Sequence, residues 1–304
     1  MSLQADTDTA VWTIGRLVQW TTDHFAQRDI SDARLAAEVL LANAAGCRRI
    51  ELYTRFEQTL DDDVLERFRD WVRRAAGGEP IAYLVGEKEF YSLAFAVTSA
   101  VLIPRPETEV LVQCVIDHCN ATAMKSPRLL DVGTGSGCIA VTVATQLSGA
   151  TIVATDTSCE ALELAESNAS RHGVSGRVRF VEADRLSIPP DCVPNGGFDV
   201  IMSNPPYVPK YAMDALHPTV RDFEPHAALT DAGDGLSFFQ SVASDGPGLL
   251  ATGGVVFVEI DDNSASRVIE VVEAPGGLTH RKTWRDRVVG SERVLMFMLK
   301  DDSA

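Results

Sequence analysis

The sequence predicts an α/β protein, a doubly wound and mostly parallel sheet preceded by a small all-helical domain. Three observations lead there. Residues 1–78 carry helical periodicity alone. From Arg128 onward, short apolar strands alternate with helices. A glycine-rich run, Asp131-Val132-Gly133-Thr134-Gly135-Ser136-Gly137, stands between the first of those strands and a helix. Alternation of this kind builds parallel strands with crossover helices, and ligands gather at the strand carboxyl ends.

The helical part divides into three stripes. Val11, Ile14, Leu17 and Val18 recur at helical spacing. Leu35, Val39, Leu40 and Leu41 follow Ser31, the expected N-cap, and Gly46 is the expected stop. Val64, Leu65, Phe68, Trp71 and Val72 form the third stripe, between Asp61-Asp62-Asp63 and Gly77-Gly78. Acidic residues at its start and Arg73-Arg74 at its end complement the helix dipole. With Arg67 and Arg69, those arginines read as a solvated face. The expected organisation is a helical domain over 1–78, a hairpin linker over 79–100 and a larger domain over 101–304, with the aromatic-rich stretch 87–97 forming the hairpin.

In the larger domain, Leu129-Leu130 enters the glycine-rich turn and a helix follows over 139–147. A strand over 151–154 ends at Asp156, and a helix covers 161–169. Further strands are expected over 178–181, over 198–202 ending at Ser203-Asn204, and over 255–260 and 294–299, with room for an antiparallel one among the last.

Composition narrows the class. The chain has 304 residues, 45% hydrophobic and 23% charged, which suits a folded protein with a sizeable core. A net charge of −16 disfavours general binding to the phosphate backbone of nucleic acid. The six cysteines form no CxxC pair, and neither they nor the six histidines fall at metal-ligand spacing, so no metal is expected. Residues 1–9 are polar and acidic, unlike a signal peptide, and no apolar run reaches the roughly 20 residues of a membrane span. The expected location is the cytoplasm, with no membrane partner.

Glycines in the turn let the backbone bend sharply and approach a ligand closely. Dinucleotide enzymes use a similar turn, but the form here is GxGxG without their later glycine, which leans toward S-adenosylmethionine. Gly133, Thr134, Gly135, Ser136 and Gly137 are the candidate cradle. Asp156, at the end of the next strand, stands where a carboxylate reaches the vicinal hydroxyls of a ribose, and Asp184 with Arg185 ends the strand after that, near an adenine edge.

Asn204-Pro205-Pro206-Tyr207 follows the strand over 198–202. Two prolines fix φ and remove two backbone donors. So stiff a loop can aim the Asn204 side-chain oxygen and the Pro205 carbonyl at one NH2 group, with Tyr207 offering a flat face to a planar target. Two acceptors orient such a nitrogen toward an electrophilic methyl and stabilise its developing positive charge. The target is therefore an amide or the amino group of a base, adenine N6 or cytosine N4.

These residues resemble the release factor glutamine methyltransferases, over nearly the whole chain. The resemblance rests on Gly78-Glu79-Pro80-Ile81-Ala82-Tyr83, on Gly86-Glu87-Lys88-Glu89-Phe90-Tyr91, and above all on Leu102-Ile103-Pro104-Arg105-Pro106-Glu107-Thr108-Glu109. The glycine-rich turn, Asn204 to Tyr207, Phe223-Glu224-Pro225 and Asp234-Gly235-Leu236 follow in the family's order. The chain departs from the pattern at Arg185, where aromatic or apolar residues are frequent, and at Asp261, where a glycine is usual. The resemblance implies a class I S-adenosylmethionine-dependent methyltransferase with a seven-stranded sheet, and a helical domain that helps grip a class 1 peptide chain release factor. Its substrate would be the glutamine of the factor's Gly-Gly-Gln tripeptide. The 133–137 turn, Asp156, Arg185 and Asn204 would line the cofactor pocket, and Asn204, Pro205, Pro206 and Tyr207 would hold the glutamine.

Overall fold

The computed structural model describes residues 11–286 and 290–300; the acidic stretch 1–9 lies outside the described residues. The chain divides into two compact units after Gly86.

The first unit is helical: α1 (Ile14–Ala26), α2 (Ala33–Ala44), α3 (Arg49–Thr54), α4 (Asp62–Ala76) and α5 (Ile81–Val85). Its core draws on the apolar stripes read from the sequence, with Ile14, Leu17, Leu40, Leu41, Phe68 and Val72 buried, and adds Phe25 and Leu52, which no stripe included; Val11 and Leu35, expected in the stripes, are exposed. Thr13 caps α1, accepting from the Arg16 N–H. Ser31 does not cap α2. The chain enters that helix through Asp32 in a left-handed conformation (φ 50°), which displaces Ser31 from the cap position. Gly77 and Gly78 close α4 as expected, Gly78 at φ 97°. The helices α3 and α5 were not legible, being six and five residues long, too short to show a period.

The second unit opens with a hairpin, β1 (Glu87–Phe90) against β2 (Leu93–Ala96), closed by Tyr91 and Ser92 at positive φ. The Tyr91 N–H donates to Glu109 Oε1 (2.8 Å) and its hydroxyl to Gln113 Oε1 (2.6 Å), which ties the turn to α6 (Glu109–Ala121). There follow β3 (Arg128–Val132), α7 (Cys138–Gln146), β4 (Thr151–Asp156), α8 (Cys159–Arg171), β5 (Val178–Glu182), β6 (Phe198–Ser203), α9 (Pro218–Phe223), α10 (Ser237–Leu249), β7 (Leu250–Glu259), α11 (Ala265–Glu273), β8 (Leu278–Arg285) and β9 (Glu292–Leu299).

Seven strands form one sheet in the order β5-β4-β3-β6-β7-β9-β8. The first five are parallel, and β9 runs antiparallel to both of its neighbours. The order reverses between β3 and β6, the switch point at which an open α/β sheet leaves a crevice. Both faces are covered, so the central strands read as unbroken apolar runs. Leu129, Val200, Met202, Val255 and Phe257 face α6 and α7, while Leu130, Ile201, Val256 and Val258 face α10 and α11. Among the described residues, no helix is long and apolar enough to cross a membrane.

Candidate active site

Strand register assembles the site. Val132 of β3 pairs with Thr155 of β4 and Ser203 of β6; Asp156 pairs with Glu182 of β5; Ser203 pairs with Val258 of β7. The residues that leave the sheet at these carboxyl ends therefore stand in a row: Asp184, Asp156, Gly133, Asn204 and Glu259. Four of the five were expected from the sequence.

The glycine turn needs its glycines. Gly133, Gly135 and Gly137 all take positive φ (73°, 54° and 79°), a region that side chains disfavour. A Cβ on Gly133 or Gly135 would meet no protein atom within 4 Å, so this backbone borders open space; one on Gly137 would press within 3.0 Å of Ala165 on α8. Asp131 holds the turn from below. It is fully buried, accepting from the Thr134 hydroxyl (2.7 Å) and the Ala140 N–H (3.2 Å). Burial outweighs those bonds and lifts its carboxyl to about 7. Sequence reasoning gave Asp131 no role, although a carboxylate ending an apolar strand was the available signal.

Asp156 accepts the Gly135 N–H on one oxygen (2.9 Å) and the Ser158 N–H on the other (3.0 Å). Each oxygen keeps a lone pair for a further donor. The cap of α8 is Ser158, which accepts from the Ala161 N–H. Asp184 and Arg185 are exposed and paired with each other (3.1 Å), with Arg185 at φ 50°.

These groups line one cleft of about 1410 Å³. Gly133, Thr134, Gly135, Ser136, Asp156, Asp184, Arg185, Asn204, Pro205 and Pro206 all border it, together with Pro104, Arg105 and Thr108. Gly137 and Tyr207 do not. Tyr207, expected to present a flat face, packs its ring on the apolar core, and its hydroxyl donates to Glu259 Oε1 at 3.4 Å. Burial, then the neighbouring Glu259 charge, pushes that phenol upward.

Asn204 is anchored at one end, its Nδ2 donating to the Thr108 hydroxyl at 3.1 Å. Among the described residues, no group donates to the Pro205 carbonyl. The following segment is pinned by the Val208 N–H on the Leu229 carbonyl and the Lys210 N–H on the Gly233 carbonyl, both 2.9 Å. Gly235 lies so close that any Cβ would collide with the Tyr207 carbonyl oxygen, while Asp231 accepts the Gly233, Gly235 and Ser237 amides. Glu224, 3% exposed, accepts the Ile103 N–H (3.1 Å) and pairs with Arg105, so it ties two walls of the cleft together.

A cleft of this kind suits S-adenosylmethionine: open backbone at a glycine turn, a carboxylate with spare lone pairs one strand away, and a stiff acceptor loop on the other side. Comparison with known proteins agrees. Residues 16–86 match the family model of the PrmC N-terminal domain, and residues 124–251 match a methyltransferase domain. The release factor glutamine methyltransferase of Chlorobaculum tepidum is 43% identical over 261 residues, covering 85% of this chain and 88% of that protein. Its counterpart from Rhodopirellula baltica is 40% identical over 286 residues, covering 93% and 95%. A solved structure from Alicyclobacillus acidocaldarius, a release factor-specific protein-(glutamine-N5) methyltransferase, is 30% identical, covering 68% of this chain and 99% of that one, with a TM-score of 0.40.

Proposed function

Since the chain belongs to the release factor glutamine methyltransferases, we propose that its cleft holds the Gly-Gly-Gln glutamine of a class 1 release factor for methylation at the side-chain amide nitrogen. The methyl donor is S-adenosylmethionine, which when bound supplies a methyl group on a positively charged sulfur. In this reading Gly133 to Ser136 of the turn and Asp156 hold the donor, Asp156 through the ribose hydroxyls, with Asp184 and Arg185 at the cleft edge near the adenine.

The observation that carries the reading is the anchored Asn204. With Nδ2 committed to Thr108, its Oδ1 is the end left for the substrate, beside the free Pro205 carbonyl. Those two acceptors take the two N–H groups of one NH2. An amide nitrogen is a weak nucleophile because its lone pair is shared with the carbonyl. Holding both hydrogens in acceptors orients the nitrogen and stabilises the positive charge that grows on it. The surplus proton then leaves to solvent, and no strong general base is needed. Tyr207 acts from behind the wall, stiffening the loop. Pro206 fixes its path.

A basic substrate surface is favoured by the net charge of −16, and a protein acting on release factors works in the cytoplasm. The test is incubation of the chain with labelled S-adenosylmethionine and purified release factor, followed by peptide mapping. A single methyl group on the glutamine of the tripeptide is expected; label found on nucleic acid instead would overturn the reading.

A further inference from the structure

Two runs of the sequence, Leu102 to Glu109 and Phe223-Glu224-Pro225, have no part of their own in the proposed chemistry. They meet at Glu224. Its carboxylate is buried, and both oxygens are taken within the protein. One accepts the Ile103 N–H (3.1 Å), and the other accepts from the Arg105 guanidinium, 119 residues upstream. A carboxylate so occupied has little left to offer a substrate, so its role lies in what it holds.

We infer that Glu224 is a positioning residue for methyl transfer, acting on Asn204 through Arg105 and Thr108. The inference rests on the proposed role of Asn204. Pro104 and Pro106 flank Arg105 and restrict its backbone, which is extended. The Arg105 carbonyl accepts the Thr108 N–H (3.1 Å), closing the short turn Pro106–Thr108. The Thr108 hydroxyl in turn accepts from Asn204 Nδ2 (3.1 Å). Every link from Glu224 to Asn204 is thus a hydrogen bond or a stiff stretch of backbone, and a shift of Arg105 is passed on with little slack. Taking a carboxylate out of water largely offsets the attraction of its partner, so such a pair contributes geometry more than stability. Geometry is what the site needs, because a misplacement of about 1 Å at a reacting centre can cost about a hundredfold in rate. The two sequence runs then share one task, to hold the Asn204 amide from behind.

The test is a pair of double-mutant cycles on the full chain, read by single-turnover methylation of release factor, with S-adenosylmethionine binding and thermal melting in parallel. Glu224→Gln keeps the size and an acceptor for Ile103 but ends the charged grip on Arg105. It should slow transfer at saturation about ten- to hundredfold, with donor affinity and the half-saturating release factor concentration little changed. Because Glu224 acts through Asn204, the same substitution should cost little more once Asn204→Ala is present. Arg105→Met should also slow transfer, and adding Glu224→Gln to it should cost nothing further. Additive losses in either cycle, a loss confined to release factor affinity, or a parental rate in Glu224→Gln would overturn the inference. Should Glu224→Gln fail to fold, as judged by thermal melting, Arg105→Met takes its place in the cycle with Asn204→Ala. A slow Asn204→Ala beside a parental Glu224→Gln overturns this inference alone. Asn204→Ala at the parental rate overturns the proposed role of Asn204, and the inference with it.

Discussion

The two loops that flank the switch point are held in opposite ways. The turn after β3 is shaped by the backbone: three glycines at positive φ, with the amides of Gly135 and Ser158 gripped by Asp156. The loop after β6 is shaped by side chains, with Asn204 on Thr108, Tyr207 on Glu259, and two prolines between. A backbone cradle bends around whatever shape fills it. A side-chain scaffold instead sets the direction of each donor and acceptor. Under the proposed function, binding belongs to the first loop and chemistry to the second, and substitutions should separate the two.

The largest effect is expected at Asn204. Loss of one preorganised hydrogen-bonding group at a reacting centre typically costs about 10²–10³ in turnover. Asn204→Ala should lose that much in single-turnover methylation while calorimetry shows S-adenosylmethionine affinity within a few-fold of the parent. Asn204→Asp should fall between, since a carboxylate still accepts from the substrate.

At Asp156 the pattern should reverse. Removing a charged hydrogen-bond partner is worth about 1.5–3 kcal/mol, or roughly one to two decades of affinity. Asp156→Ala should weaken donor binding by that amount, and saturating donor should recover much of the rate. Equal losses in affinity and saturated rate would blur the division between the loops.

Each loop also rests on a buried carboxyl, which makes stability depend on pH. Burial lifts Asp131 and Glu259 to about 7. A carboxyl whose folded value lies above its unfolded one favours the folded state while protonated. That contribution is complete below the unfolded values near 4 and is lost as pH rises through about 7. Denaturant titrations of the ligand-free protein should show this component falling across that window. Asp131→Asn and Glu259→Gln should each flatten it, and an unchanged slope in both would show that neither carboxyl is strained by burial.

The smallest effect is expected at Asp184, whose exposed pair with Arg185 is of a kind worth about 0–1 kcal/mol. Asp184→Ala should change donor affinity by less than about fivefold. A larger loss would extend the binding loop's territory to the end of β5.

Local signals carried most of the architecture. Strands such as β6 and β7 are apolar on both faces and announce themselves, and a glycine-rich turn at a strand end marks a place where backbone approaches a ligand. The strand β8 was not legible because its sequence, Leu-Thr-His-Arg-Lys-Thr-Trp-Arg, is that of a polar margin rather than a buried strand. Helix α10 hid behind Gly246, Pro247 and Gly248, breakers that its last turn accommodates. The site divides in the same way. Asn204 and Asp156 could be found from what surrounds them in sequence. Thr108 and Glu259 could not, because their part depends on contacts made across 96 and 52 residues of chain. Glu224 was ambiguous for that reason too, its partners Ile103 and Arg105 lying far upstream.

That polar margin has a further consequence. Among the described residues, β8 pairs only with β9 and is the last strand of the sheet. Such a rim is a template on which a second chain can add its own strand. Here Arg281 and Lys282 are exposed along it, Lys282 lies over the Trp284 ring (4.5 Å to its centroid), and Arg285 pairs with Glu292. A strand arriving from another molecule would have to strip water from these cations and displace one from its aromatic seat. The same sequence that disguises β8 as a loop thus guards the sheet against growing from one molecule into the next, and protects the fold from aggregation at its margin.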